Sequence, residues 1–216
     1  CFRDACNAQG FIPADGVTYT QRETTAPVKL NPYKKTIIPL KAWQYCRFLV
    51  NNGLFTRDID ARGRWRYAPE DNRYAFPIKA PQGNIRGYAL RSYSGATPKS
   101  LTYMHEAGPK LSWYWCPNPS DQRIVLVEDQ VSAVKVSRYA HCVALLGTSI
   151  SPEAATEIFK HKGKCHVQIA LDEDAINTAY KLNRDYGLLL DSSVVHLRKD
   201  LKDMSYTQIR EKLNLC

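Results

Sequence analysis

The sequence predicts an α/β protein: a parallel sheet of about four strands flanked by helices, preceded by a small, basic subdomain of mixed α+β character. Three observations predict it. After residue 122, four unbroken apolar runs alternate with stretches of helical spacing, as in a parallel sheet buried on both faces. Between residues 63 and 115 the pattern is one of short strands separated by turn residues and rich in Arg and Lys. Between these parts lies CPNPSDQ, residues 116 to 122, a loop with two prolines that marks a boundary.

Residues 1–32 carry Pro13, Gly16 and Pro27 among many polar residues and read as a linker or an arm lying over something else. LKAWQYCRFLVNNG, residues 40–53, has helical spacing, with Leu40, Trp43, Phe48 and Leu49 toward a core and Gly53 as the stop. RWRYAPEDNRYAFPI and GNIRGYALRSY read as strands joined by a turn that ends at Gly83. Arg86 and Arg91 are five residues apart, so a regular strand points them to opposite faces.

In the second half the apolar runs are RIVLVED (123–129), CVALLG (142–147), CHVQIALD (165–172) and SSVVHL (192–197), with helical stretches at 131–140, 152–162 and 175–186. Ser151 and Pro152 form a cap and first-turn pair. The strand ends are the informative places. The first ends at Glu128 and Asp129, the second in Gly147, Thr148 and Ser149, the third at Asp172 and Asp174, and the fourth runs through Lys199 to Asp200, with Asp203 beyond. In a parallel sheet these ends share one edge, where open α/β folds place their ligands. A single acid there is accounted for by the helix dipole, at about 0.3–1 kcal/mol. Several acids converging from separate strands repel one another unless a cation holds them, and oxygen-only donors suit Mg²⁺ or Mn²⁺.

Composition bounds the function classes. The 216 residues are 44% hydrophobic and 24% charged, as in a globular chain rather than a disordered one. No apolar stretch is long enough to span a bilayer and no secretory pattern opens the sequence, so the expected location is the cytoplasm. The chain begins at Cys1 rather than Met, which reads as a fragment or processed product. A net charge of +9, concentrated before residue 120, favours a polyanionic partner. The seven cysteines read as mostly scattered, reduced thiols, with Cys142 and Cys165 as small core residues. His105, His141, His161, His166 and His196 show no metal-ligand spacing. There is no GxxxxGK[ST] loop, so any helicase function lies outside this chain.

VLVED with Glu128, LLGTS with Gly147 and Thr148, and ALDED with Asp172 and Asp174 together resemble the TOPRIM domain, a Rossmann-like fold shared by DnaG-type and phage primases, topoisomerases and some nucleases. KDLKD, with Asp200 and Asp203, is similar to the segment after the fourth strand in many primases. RYAFPIKAPQGNIRGYALRSYSGATPKSL, residues 73–101, resembles the basic half of a primase catalytic domain, through Phe76, Pro77, Ile78, Gly83, Gly87, Tyr88, Arg91, Pro98 and Lys99. CFRDAC looks like the tail of a primase zinc-binding module, with Cys1 and Cys6 as its last cysteines and zinc entering only through a missing upstream part.

The resemblance implies a division into 1–32 (arm and zinc-module tail), 33–120 (basic subdomain) and 121–216 (TOPRIM domain). It implies a primase core that makes short RNA primers on single-stranded DNA from ribonucleoside triphosphates, with a replicative helicase and polymerase as partners. Glu128, Asp172 and Asp174 are then the catalytic and metal-binding acids, with Asp129 and Asp200 as further candidates and Glu128 open between metal ligand and general base. Arg73, Arg91 and Lys99 hold the triphosphate or the template backbone. Tyr88, Tyr93, Tyr103, Trp113, Tyr114 and Trp115 are either core or stacking platforms for bases. The sequence departs from the family where Asp129 and Ser132 stand in place of Gly and Asp, so the second metal-facing acid is either missing or supplied by Asp129. The alternatives are a TOPRIM nuclease and a catalytically weak single-stranded nucleic-acid-binding module.

Overall fold

The computed structural model describes residues 30–119 and 122–215. Most of the expected arm, with Cys1 and Cys6 of the zinc-module tail, lies outside the described residues. Two five-stranded sheets form the framework.

The first sheet is antiparallel throughout, in the order β1 (Ile38–Pro39), β2 (Arg66–Ala68), β3 (Arg73–Lys79), β4 (Ile85–Ser92) and β5 (Ser100–Met104). Its centre is the expected β3–β4 hairpin. Gly83 turns the chain at φ 88°, and its N–H donates to the Ala80 carbonyl at 2.9 Å. Gly87 is needed for another reason: a Cβ there would come within 2.1 Å of the Tyr103 carbonyl oxygen on β5.

α1 (Ala42–Asn52) covers this sheet and ends at Gly53, φ 59°, as the spacing predicts. Leu40 and Phe48 are buried and Leu49 packs against the core, but Trp43, expected inside, is 46% exposed. The buried position in that turn belongs to Gln44, whose side chain folds back to accept from the Lys41 N–H at 2.7 Å and caps the helix. Trp43 instead lies edge-on to Tyr93.

The second sheet has the order β10-β9-β7-β8-β6. β7 (Arg123–Val127), β8 (His141–Ala144), β9 (His166–Ile169) and β10 (Ser192–Val194) are the four parallel strands read from the sequence. β7 feeds both faces. Val125 and Val127 pack with α2 (Gln130–Val136), α5 (Tyr206–Lys212) and the first sheet, while Ile124 and Leu126 pack with α3 (Pro152–Lys162) and α4 (Ile176–Leu190). α3 has its predicted bounds, with the Ser151 hydroxyl accepting from the Ala154 N–H at 3.2 Å. α2 is shorter than the expected 131–140, because the chain turns at Ser137, whose hydroxyl donates back to the Val134 carbonyl. Cys142 is buried in β8, and Cys165 is half-buried before β9.

The edge strand β6 (Ser112–Tyr114) comes from the stretch assigned by sequence to the basic half, yet it pairs antiparallel with β8. Its Ser112 hydroxyl donates to the Pro77 carbonyl at 3.2 Å and accepts from the Lys79 N–H at 3.1 Å, fastening β3 of the first sheet to the second. Among the described residues, no helix is long and apolar enough to cross a membrane.

Candidate active site

The parallel strands deliver their C-terminal ends to one cavity of about 850 Å³, which β3, β4 and β5 of the first sheet close from the other side. Glu128 and Asp129 enter after β7, Leu146 and Gly147 after β8, Asp172, Glu173 and Asp174 after β9, and Asp200 and Lys202 after β10. Phe76, Ala89, Arg91, Lys99, Ser100 and Thr102 form the facing wall. The cavity therefore has an acidic side and a basic side.

Glu128 is half-buried, and its Oε1 accepts from the Asp172 N–H at 3.1 Å. Burial, then the neighbouring Asp172 carboxylate, pushes its pKa up to about 7. Burial also raises Asp172, against the pull of Lys202. Asp174 lies exposed on a single turn of 3₁₀ helix, Glu173–Ala175. Asp129 is the N-cap of α2: its Oδ1 accepts from the Val131 N–H at 2.7 Å and the Ser132 N–H at 3.0 Å, and its Oδ2 accepts from the Ser132 hydroxyl. Ser132 is 1% exposed and does not reach the cavity.

Of the three predicted basic residues, Arg91 and Lys99 line the cavity and Arg73 does not. Arg73 is 5% exposed and donates to the Lys99 carbonyl at 3.4 Å, just ahead of β5. The opposite-face expectation for the arginine pair is met: Arg86 leaves the cavity and binds Glu157 of α3. The six candidate stacking aromatics line no part of this cavity, and Trp113 and Tyr114 are buried.

Sequence reasoning missed Lys202. Its Nζ is 3.2 Å from Asp172 Oδ2 and 3.9 Å from Asp129 Oδ2, and it hydrogen-bonds Asp200 Oδ2. Burial opposes its charge, but the Asp200 hydrogen bond and the Asp129 and Asp172 carboxylates outweigh that and lift it above the ordinary lysine range. The signal was in KDLKD, read for its acids alone. Among the described residues, no three Asp, Glu, His or Cys side chains stand close enough to form a ready metal cage. The donor chemistry on the Glu128, Asp172 and Asp174 side nonetheless suits a hard divalent cation, because the donors are carboxylate oxygens.

No family model and no curated protein matches this chain. Solved structures do. The Escherichia coli primase catalytic core aligns over 80% of this chain and 72% of its own, at 19% identity and a TM-score of 0.60. A DnaG primase catalytic domain bound to single-stranded DNA aligns over 80% and 71%, also at 19% identity and 0.60. The primase fragment of the bacteriophage T7 primase-helicase protein aligns over 88% and 80%, at 14% identity and 0.58. Two sheets in this arrangement, with acids at the parallel strand ends and a basic antiparallel wall opposite, give the chain the fold of the catalytic core of DnaG-type primases.

Proposed function

We propose that the chain is the RNA-synthesising core of a DNA primase, joining ribonucleotides on a single-stranded DNA template by divalent-metal-dependent nucleotidyl transfer. One observation carries this reading: carboxylates from separate strand ends of the second sheet face Arg91 and Lys99 of the first sheet across a single cavity. Residues 33–120 supply the basic wall and residues 121–216 the acidic one. The solved neighbour with bound single-stranded DNA supports a template as partner.

Glu128, Asp172 and Asp174 would hold Mg²⁺ or Mn²⁺. Such an ion supplies charge neutralisation at the phosphates and activates the attacking hydroxyl. Arg91 and Lys99 bind the triphosphate or the template backbone and orient it against the acids. Arg73 keeps Lys99 in place through the carbonyl it donates to. Glu128 and Asp172 are mutually oriented by the hydrogen bond between the Asp172 N–H and Glu128 Oε1, so the reacting groups meet a fixed acidic face. Primer handover to a helicase and polymerase, in the cytoplasm, belongs to the same reading.

The test is incubation with a single-stranded template, labelled ribonucleotides and Mg²⁺ or Mn²⁺. Short oligoribonucleotides are expected, and Asp172→Asn or Asp174→Asn abolishes them while leaving the melting temperature unchanged or slightly higher. A degraded template identifies a nuclease instead, and binding with neither product identifies a nucleic-acid-binding module.

A further inference from the structure

We propose that Lys202 is a built-in cation of this cavity that occupies the carboxylates of Asp129, Asp172 and Asp200, so that the chain takes up one divalent metal ion, on the Glu128 and Asp174 side. The inference rests on the functional reading above and refines its metal requirement.

The geometry separates Lys202 from an ordinary surface lysine. Its ammonium contacts carboxylates that follow three different strands: Asp129 after β7 at 3.9 Å, Asp172 after β9 at 3.2 Å, and Asp200 after β10. Of the three N–H donors of its ammonium, two are taken by Asp172 and Asp200, while Asp129 is held by charge at the longer distance. The side chain is 23% exposed, and its backbone is pinned from below. Lys202 sits on the one-turn helix Leu201–Asp203, with Leu201 buried beside it. Its carbonyl accepts at 2.9 Å from the buried ammonium of Lys135, which also donates to the Asn52 and Met204 carbonyls. The cation is thus held where it is by packing and hydrogen bonds formed without any ligand.

The acids divide accordingly. Asp129 has one oxygen occupied by two backbone N–H groups and the other by the Ser132 hydroxyl, leaving little lone-pair capacity for a metal. Asp200 and one oxygen of Asp172 are engaged by Lys202. Among the described residues, no ion pair reaches Glu128 or Asp174. The ammonium occupies one side of the cluster, and the carboxylates it does not touch, Glu128 and Asp174, are left on the other, with room for one added dication. An ammonium neutralises charge and donates hydrogen bonds to phosphate oxygens, but it has no open coordination position for water or a hydroxyl. The two halves therefore differ in what they offer: Lys202 can position phosphates, and an ion held by Glu128 and Asp174 would supply activation of the hydroxyl.

The experiment counts Mn²⁺ bound to the purified chain without nucleotide, by calorimetric titration and electron paramagnetic resonance. Wild type is expected to bind one ion. Lys202→Gln is expected to bind two, since removing the ammonium opens the Asp129, Asp172 and Asp200 side, and Lys202→Arg to bind one. In metal-free buffer Lys202→Gln should melt below wild type, and Mn²⁺ should raise its melting temperature by more than it raises that of wild type. An unchanged count in Lys202→Gln overturns the proposal. So does any wild-type count other than one, which requires no variant to fold. A wild type that binds one ion, loses it in Asp174→Asn and makes no primer instead removes the primase reading and leaves the Lys202 assignment standing.

Discussion

The Arg86 guanidinium meets the Glu157 carboxylate at 3.0 Å, tying β4 of the basic sheet to α3 of the second layer. Glu157 also accepts from the Trp113 indole N–H at 2.9 Å, so one carboxylate serves two elements of the junction. Both charges are largely withdrawn from water. Removing one strands the other, at a cost of about 3 kcal/mol. Arg86→Leu and Glu157→Leu should each lower stability in urea denaturation, and the double variant should lose less than the two added together. Additive losses would show that the pair is not coupled.

If Glu128 holds the proposed ion, its proton sets the pH dependence of metal uptake. Its folded-state pKa of about 7 lies above the ordinary 4.5, so below neutrality the metal-free protein carries a proton that the cation must displace. Mn²⁺ affinity should climb by up to about tenfold per pH unit as pH rises toward 7, then level off. The same shift means that the folded chain binds this proton more tightly than the unfolded one, so metal-free stability from this group falls as pH rises from 4.5 to about 7. Glu128→Gln should flatten both profiles, as calorimetry and thermal melts across that range will show.

Lys79 behaves in the opposite sense. Burial, with some repulsion from Arg64 and Arg62, pulls it down to about 7, and its ammonium lies 3.8 Å over the Tyr114 ring while donating to the Arg62 carbonyl. Between about 7 and 10.5 the unfolded chain binds the proton and the folded chain releases it, so stability from this group improves as pH rises through that window. Lys79→Met should stabilise the protein by about 1–2 kcal/mol near neutral pH. The gain should shrink in thermal melts run at about pH 10, where the unfolded lysine is itself losing its proton.

The basic wall should show itself in salt dependence. Binding of labelled single-stranded DNA, followed by fluorescence anisotropy, should weaken with salt, with log K falling by about 0.7 per phosphate contact for each unit of log salt. Lys99→Ala or Arg91→Ala should lower template or nucleotide affinity and leave Mn²⁺ binding unchanged. Arg73→Ala should act more weakly on binding and more on stability, because this side chain is buried and bonded to the Lys99 carbonyl. If Lys99→Ala and Arg91→Ala leave template binding, nucleotide binding and synthesis untouched, the basic wall has no part in function.

The sequence by itself determined those parts of the protein that carry a local physical signature. Unbroken apolar runs specified β7, β8 and β9 because strands buried on both faces need apolar residues at every position. Gly53 and Gly83 specified their turns because a positive φ is cheap only there. The ends of those strands then placed Glu128, Asp172 and Asp174 along one edge without knowledge of any contact. Tertiary structure alone decided the rest, because each remaining feature is a choice of partner across long stretches of chain. Nothing local to Ser112–Tyr114 announces that it will pair with β8 in the other sheet. Arg73 and Arg91 look alike as strand residues, and only the packing turned one toward the Lys99 carbonyl and the other toward the cavity. Lys202 is one of 30 basic residues, and its place in KDLKD does not say which carboxylates it will meet. Its role exists only because three carboxylates from three strands surround it, and electrostatic partners are set by distance in space, not along the chain.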